Sequence, residues 1–156
     1  EVLTLAKQLQ QQGSDEATLR GAVSRAYYAA LLRADEVFPQ RSTSADLAGG
    51  SSHIKIISRT QAYANAVKPG RGSALSVAKY LPKLKRSRVR ADYLLAETVT
   101  TKESLDVVTR AEQVLQWCDD IEQKIKQALV SPVPTPVADI VPIASPASRP
   151  TLTRVR

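Results

Sequence analysis

The chain has 156 residues, 43% of them hydrophobic, and 22 Lys+Arg against 15 Asp+Glu give a formal charge of +7. These figures suit one domain with a core of its own and argue against a collagenous, purely coiled-coil or fully disordered chain. A single Cys118 excludes an internal disulfide or Cys-rich zinc site and a single His53 excludes a His-based metal cage, so neither a metal nor a cofactor is expected.

Val2, Leu5, Ala6 and Leu9 recur at helical spacing and predict a first helix, interrupted at Gly13 and Ser14. Ser14 or Asp15 can cap a second helix over about 15–37, with Leu19, Ala22, Val23, Ala26, Ala29 and Ala30 facing inward. Its alanine seam lets a neighbouring helix approach closely. Tyr27 and Tyr28 must point about 100° apart, so at least one enters the core. Pro39 ends this helix, and a polar loop runs to Gly50. Ser51 or Ser52 caps a third helix carrying Ile54, Ile57 and Ala64, which the segment Lys68, Pro69, Gly70, Arg71, Gly72 terminates.

A short turn is expected around Leu75 to Tyr80, with Pro82 at the first position of a fourth helix whose inward face is Leu84, Arg88, Ala91 and Leu95. Thr100 and Glu103 have capping-box spacing and open a last helix marked by Val108, Ala111, Leu115, Cys118, Ile121 or Glu122, Ile125 and Leu129. No stretch alternates as a strand does. The expected fold is all-α, an antiparallel four- to five-helix bundle over residues 1–128. Residues 129–156 hold six of the nine prolines in a Ser/Thr/Val/Ala background, which reads as a Pro-rich linker or partner-docking tail.

No apolar run approaches the roughly 18 to 20 residues of a membrane span, and no charged-then-apolar leader pattern is present at the start. No membrane association is expected, and a cytoplasmic, reducing setting fits the cysteine usage. The chain opens at Glu1 without a methionine, as it would if a leader or tag had been removed.

The charge is concentrated in the middle. Residues 37–90 carry 11 basic side chains against Asp46 alone, for +10, whereas residues 91–128 carry 4 basic and 8 acidic, for −4. Lys79, Lys83, Lys85, Arg86, Arg88 and Arg90 lie within twelve residues, and on a helix Lys79, Lys83, Arg86 and Arg90 share one stripe. Such a stripe can track a phosphate backbone, making Lys79, Lys83, Lys85, Arg86 and Arg90 candidate nucleic-acid contacts; a solvated basic face is the plainer alternative. Arg88 differs because it shares the face of Leu84 and Ala91. Its guanidinium cannot lose its charge, so burial requires a carboxylate, a carbonyl or a ligand phosphate, and Asp92 is the nearest partner in sequence. His53 falls in the first turn of its helix, where the helix N-terminus disfavours the protonated imidazole.

Three stretches in order, Leu19 to Tyr28 (Leu-Arg-Gly-Ala-Val-Ser-Arg-Ala-Tyr-Tyr), Ser52-His53, and Leu84 to Tyr93 with its Arg-x-x-Ala-Asp-Tyr ending, resemble the HEPN family. The resemblance covers residues 1–128 in layout and about twenty positions in specific signal. It implies a homodimer packed on the motif-bearing helices and a role in prokaryotic toxin-antitoxin or anti-phage defence systems. It further implies an RNA or nucleotide ligand, with a minimal nucleotidyltransferase as a frequent companion protein. Catalytic members are metal-independent ribonucleases with an arginine followed four to six residues later by a histidine. Here Arg88 matches the arginine and Tyr93 stands where the histidine would be. A tyrosine with a pKa near 10 is a poor base at neutral pH, so any catalysis would fall to Arg88 as the cation, with Asp92, Tyr93 or His53 beside it.

Overall fold

A computed structural model describes residues 1–13, 15–38, 51–66 and 68–130, which form five helices: α1 (Val2–Gln12), α2 (Glu16–Val37), α3 (Ser52–Asn65), α4 (Arg71–Tyr93) and α5 (Thr101–Val130). No strand occurs among the described residues, and the architecture is an all-α helical bundle. The expected Pro39–Gly50 loop and the Pro-rich tail lie outside the described residues, while α5 continues to Val130, two residues past the expected boundary.

The centre of the bundle is α2, which packs against all four other helices. Its capacity to do so comes from Ala22, Ala26, Ala30 and Ala34, four alanines at i, i+4 spacing with no exposed surface. Without bulky side chains along that line, neighbouring backbones approach closely. Asp15 caps the helix, its carboxylate accepting from the Thr18 amide at 2.9 Å and from the Thr18 hydroxyl at 2.8 Å. Between Leu19 and Ala34 only Arg25 and Leu32 are exposed, and the partly open Ser24 and Tyr28 share their side of the helix.

Around α2 the core is closed by Val77, Leu81 and Leu84 of α4 and by Val108, Val114, Cys118 and Ile121 of α5. Leu81 has no exposed surface, and burying a side chain of that size contributes about 2 kcal/mol. Tyr27 is likewise fully buried, whereas Tyr28 remains half-buried. Burial also pushes the Cys118 thiol up to about 12.

Cross-helix contacts give the directions of the helices. Along α2, Arg20 and Tyr28 meet Ala91 and Arg88 of α4 in reversed order, so these two helices run antiparallel. Ser73 with Asp120 and Arg90 with Glu103 show the same relation between α4 and α5. His53 and Arg59 of α3 meet Tyr27 and Asp35 of α2 in matching order, so α2 and α3 run the same way.

Several local expectations are corrected. Pro82 does not start a helix; it lies inside α4, which is continuous from Arg71. The expected turn at Leu75–Tyr80 is therefore helical, because Ala74, Val77, Leu81 and Leu84 form one unbroken buried stripe across the proline. The helix begins instead after Gly70, whose φ of +72° is the left-handed conformation that glycine adopts without strain. Leu95 is not inward-facing either: α4 ends at Tyr93 and Leu95 is 77% exposed. Similarly, Ile54 (49%) and Leu129 (81%) face outward; α3 buries Ala64 as expected, together with Ile56, Arg59 and Thr60. Ser51 occupies the N-cap of α3, but its hydroxyl makes no capping bond.

The capping box of α5 forms as expected. The Thr100 amide donates to Glu103 at 2.9 Å and the Glu103 amide donates to the Thr100 hydroxyl at 3.2 Å. The Thr100 amide, together with Arg90 and the Thr100 hydroxyl, holds the Glu103 carboxyl down at about 2. No helix among the described residues is long and apolar enough to cross a membrane.

Candidate functional site

The end of α4 is fixed to α2 by Arg20. Its guanidinium donates to the Ala91 carbonyl at 2.7 Å, to the Glu97 carbonyl, and to Glu16 at 2.6 Å. Carbonyls near a helix C-terminus lack intrahelical partners, so this cation both satisfies one and sets the position of the Arg88 to Tyr93 turn.

That turn faces the open strip of α2 and the first turn of α3. Arg88 Nε lies 2.6 Å from Asp92 Oδ2, and its NH2 donates to the Tyr28 hydroxyl at 3.1 Å. Ser24 donates to the same Asp92 oxygen at 3.3 Å. The guanidinium also lies 5.0 Å from the Tyr93 ring centre and 5.5 Å from that of Tyr28, within cation–π range. The partner that the sequence offered Arg88 is thus the one it takes, leaving its side chain 16% exposed and that of Asp92 24%.

His53 approaches from α3. Its Nδ1 lies 3.1 Å from the Tyr27 hydroxyl, and its ring packs edge-on against Tyr28 at 5.7 Å. Desolvation, with the charges of Arg88 and Lys85, lowers the imidazole below its usual pKa, and burial pushes the Tyr27 phenol up to about 12. At neutral pH the cluster therefore holds a neutral imidazole and a protonated phenol within the field of a permanent cation. Of the four residues singled out as catalytic candidates, Arg88 and His53 meet at Tyr28, a residue that sequence reasoning did not assign to the site, while Asp92 and Tyr93 join the cluster through Arg88. Tyr93 is 64% exposed and forms the rim.

The basic residues of α4 divide into two groups. Lys79, Lys83 and Arg86 are exposed, and Lys85 is half-buried on the His53 side. Arg90 is instead held by Glu97 and Glu103, both at 2.7 Å, and by the Thr98 carbonyl at 2.8 Å. Its charge is locally compensated, which separates it from the stripe it was placed on. On the α5 side, Lys79 and Lys83 lie 5.3 and 5.0 Å from the Tyr80 ring centre, Arg110 lies over it at 4.3 Å, and Trp117 stacks against it at 5.4 Å.

No known family model, curated protein or solved structure matches the chain. Its chemistry is therefore read from its own side chains. Among the described residues no group of three or more His, Cys, Asp or Glu side chains is placed to hold a metal ion. A groove of about 670 Å³ lies elsewhere, between the ends of α2, α3 and α5, lined by Phe38, Arg59, Tyr63 and Leu129 among others. None of the candidate residues lines it.

A second buried cation was not foreseen. Arg59, 6% exposed, donates to the Phe38 carbonyl at 2.9 Å and to Asp35 at 2.6 Å, tying α3 to the end of α2. Its helical phase relative to Ile56 was the available signal.

Proposed function

We propose that this chain is a HEPN-like homodimeric module of a prokaryotic toxin-antitoxin or anti-phage defence system, working in the cytoplasm and binding RNA or a nucleotide through α4. The observation that carries this reading is the convergence of three sequence-distant motifs on one cluster: Ser24 to Tyr28, His53, and Arg88 to Tyr93. The charge of α4 supports an anionic ligand, since it carries seven basic residues and Asp92 alone as an acid. The exposed apolar side chains Leu32, Ile54, Val89 and Tyr93, on the helices that bear the motifs, support pairing of two copies.

The test is binding of a labelled RNA across a salt series, with the oligomeric state measured in parallel by light scattering. Affinity should fall by about 0.7 log units per tenfold rise in salt for each phosphate contact. Absent or salt-independent binding sinks the RNA half of the reading, and a monomer at all concentrations sinks the dimer.

The neutral His53 beside Arg88 favours one second reading, an active metal-independent ribonuclease, because a base and a phosphate-stabilising cation are the groups such cleavage needs. Single-stranded RNA should then be cut in EDTA by the native chain and not by Arg88→Ala. Equal cleavage by both would mark a contaminant. A minimal nucleotidyltransferase is the companion protein to test, by co-purification with and without residues 131–156.

A further inference from the structure

The flank of α4 turned away from Arg88 carries a second concentration of positive charge with a different construction. Lys79, Lys83 and Arg110 converge on the Tyr80 ring at 5.3, 5.0 and 4.3 Å, and Trp117 stacks on that ring at 5.4 Å with 23° between planes. Among the described residues none of the three cations forms an ion pair with a carboxylate, in contrast to Arg20, Arg33 and Arg90, which do. Arg110 has an acid at the usual helical pairing distance, Asp106, yet it extends over Tyr80 and donates to the Gln113 amide oxygen at 2.9 Å. Nearby Glu112 is already engaged by Lys7 at 2.6 Å.

Three uncompensated cations around one partly buried aromatic pair repel one another, and an anion set among them would relieve that repulsion. We propose that this surface of α4 and α5 binds the phosphodiester backbone of single-stranded RNA, with Lys79, Lys83 and Arg110 taking phosphates beside the Tyr80–Trp117 pair. A basic track edged by aromatic rings is the construction that suits a flexible strand, whose bases are free to lie against the rings. The assignment rests on the RNA-binding reading above and adds to it a contact surface on the opposite side of α4 from the Arg88 cluster.

Trp117 is the only tryptophan of the chain, so its emission reports this surface alone. The full chain is titrated with a fluorescein-labelled oligouridine of about 12 nucleotides, following label anisotropy and, with unlabelled RNA, Trp117 emission. Saturable emission change and anisotropy rise should share one midpoint. Replacing Lys79, Lys83 and Arg110 together by glutamine should weaken binding at least tenfold and lower the salt slope by about 2, the value for three single-strand contacts. The three side chains lie outside the core, and circular dichroism of the variant is the check that it folds. If RNA binds with unchanged Trp117 emission and the triple variant binds equally well, this surface assignment is overturned while the RNA reading stands. If RNA does not bind at all, both fall. Equal potency of inorganic tripolyphosphate in changing the emission would also overturn it, by making the site one for free polyphosphate.

Discussion

The hydroxyl of Tyr27, on a ring with no exposed surface, lies 3.1 Å from Nδ1 of His53, and this bond joins the middle of α2 to the first turn of α3. A buried hydroxyl without a partner is destabilising by about 1–3 kcal/mol, so the imidazole is the group that lets Tyr27 enter the core.

The partial burial of His53 beside two cations makes stability depend on pH. His53 is lowered by desolvation and by the charges of Arg88 and Lys85, so the unfolded chain takes up a proton near pH 6.5 and the folded chain only at lower pH. Between those values the unfolded state binds more protons, and stability falls as pH drops from about 6.5 through the folded value. Urea midpoints for the native chain should decline across that window, and those of His53→Gln should decline less. Identical declines would mean that His53 does not contribute.

Arg88 and Asp92 should be energetically coupled. Removing either alone leaves a partly desolvated charge, and removing both does not. A double-mutant cycle with Arg88→Ala and Asp92→Ala should give a coupling of about 1 kcal/mol, modest because both side chains retain some contact with water. Strict additivity in denaturant titrations would contradict the pairing.

Two glycines two residues apart should respond in opposite directions to alanine. At Gly70 the left-handed φ of +72° combines with a Cβ that would sit 3.0 Å from the Ile121 Cα, so Gly70→Ala should destabilise by about 2 kcal/mol or more. At Gly72, inside α4, a Cβ meets nothing within 4 Å, and Gly72→Ala should stabilise by about 0.5–1 kcal/mol. Thermal melting of the two variants checks both signs.

Pro82 interrupts the hydrogen-bond ladder of α4 without ending the helix. Pro82→Ala restores an amide donor and should stabilise the fold by up to about 3 kcal/mol. A lower melting temperature for this variant would show that the ring itself is needed in the packing around it.

The local chemistry of the sequence narrowed the cap of α2 to Ser14 or Asp15 and foretold the Thr100–Glu103 capping box and the alanine seam of α2, because each depends on residues within a turn or two of one another. Pro82 misled for the same reason: the local rule for proline is overridden by the buried stripe that runs across it from Ala74 to Leu84. Arg88 with Asp92 was legible as an i, i+4 pair. The contacts of Arg88 with Tyr28 and of His53 with Tyr27 were not, since they join positions 60 and 26 residues apart and depend on how the helices pack. Arg110 escaped notice because it lies in the acidic stretch of the chain, and only the pairing of α4 with α5 carries it to Tyr80.

The burial of Cys118 turns the lone thiol into a recorder of global opening. With no exposed surface and a thiol pushed up to about 12, it offers alkylating reagents essentially no thiolate while the bundle is closed. Each labelled molecule would therefore mark one excursion in which α5 left the core, and the labelling rate would count such excursions in native buffer.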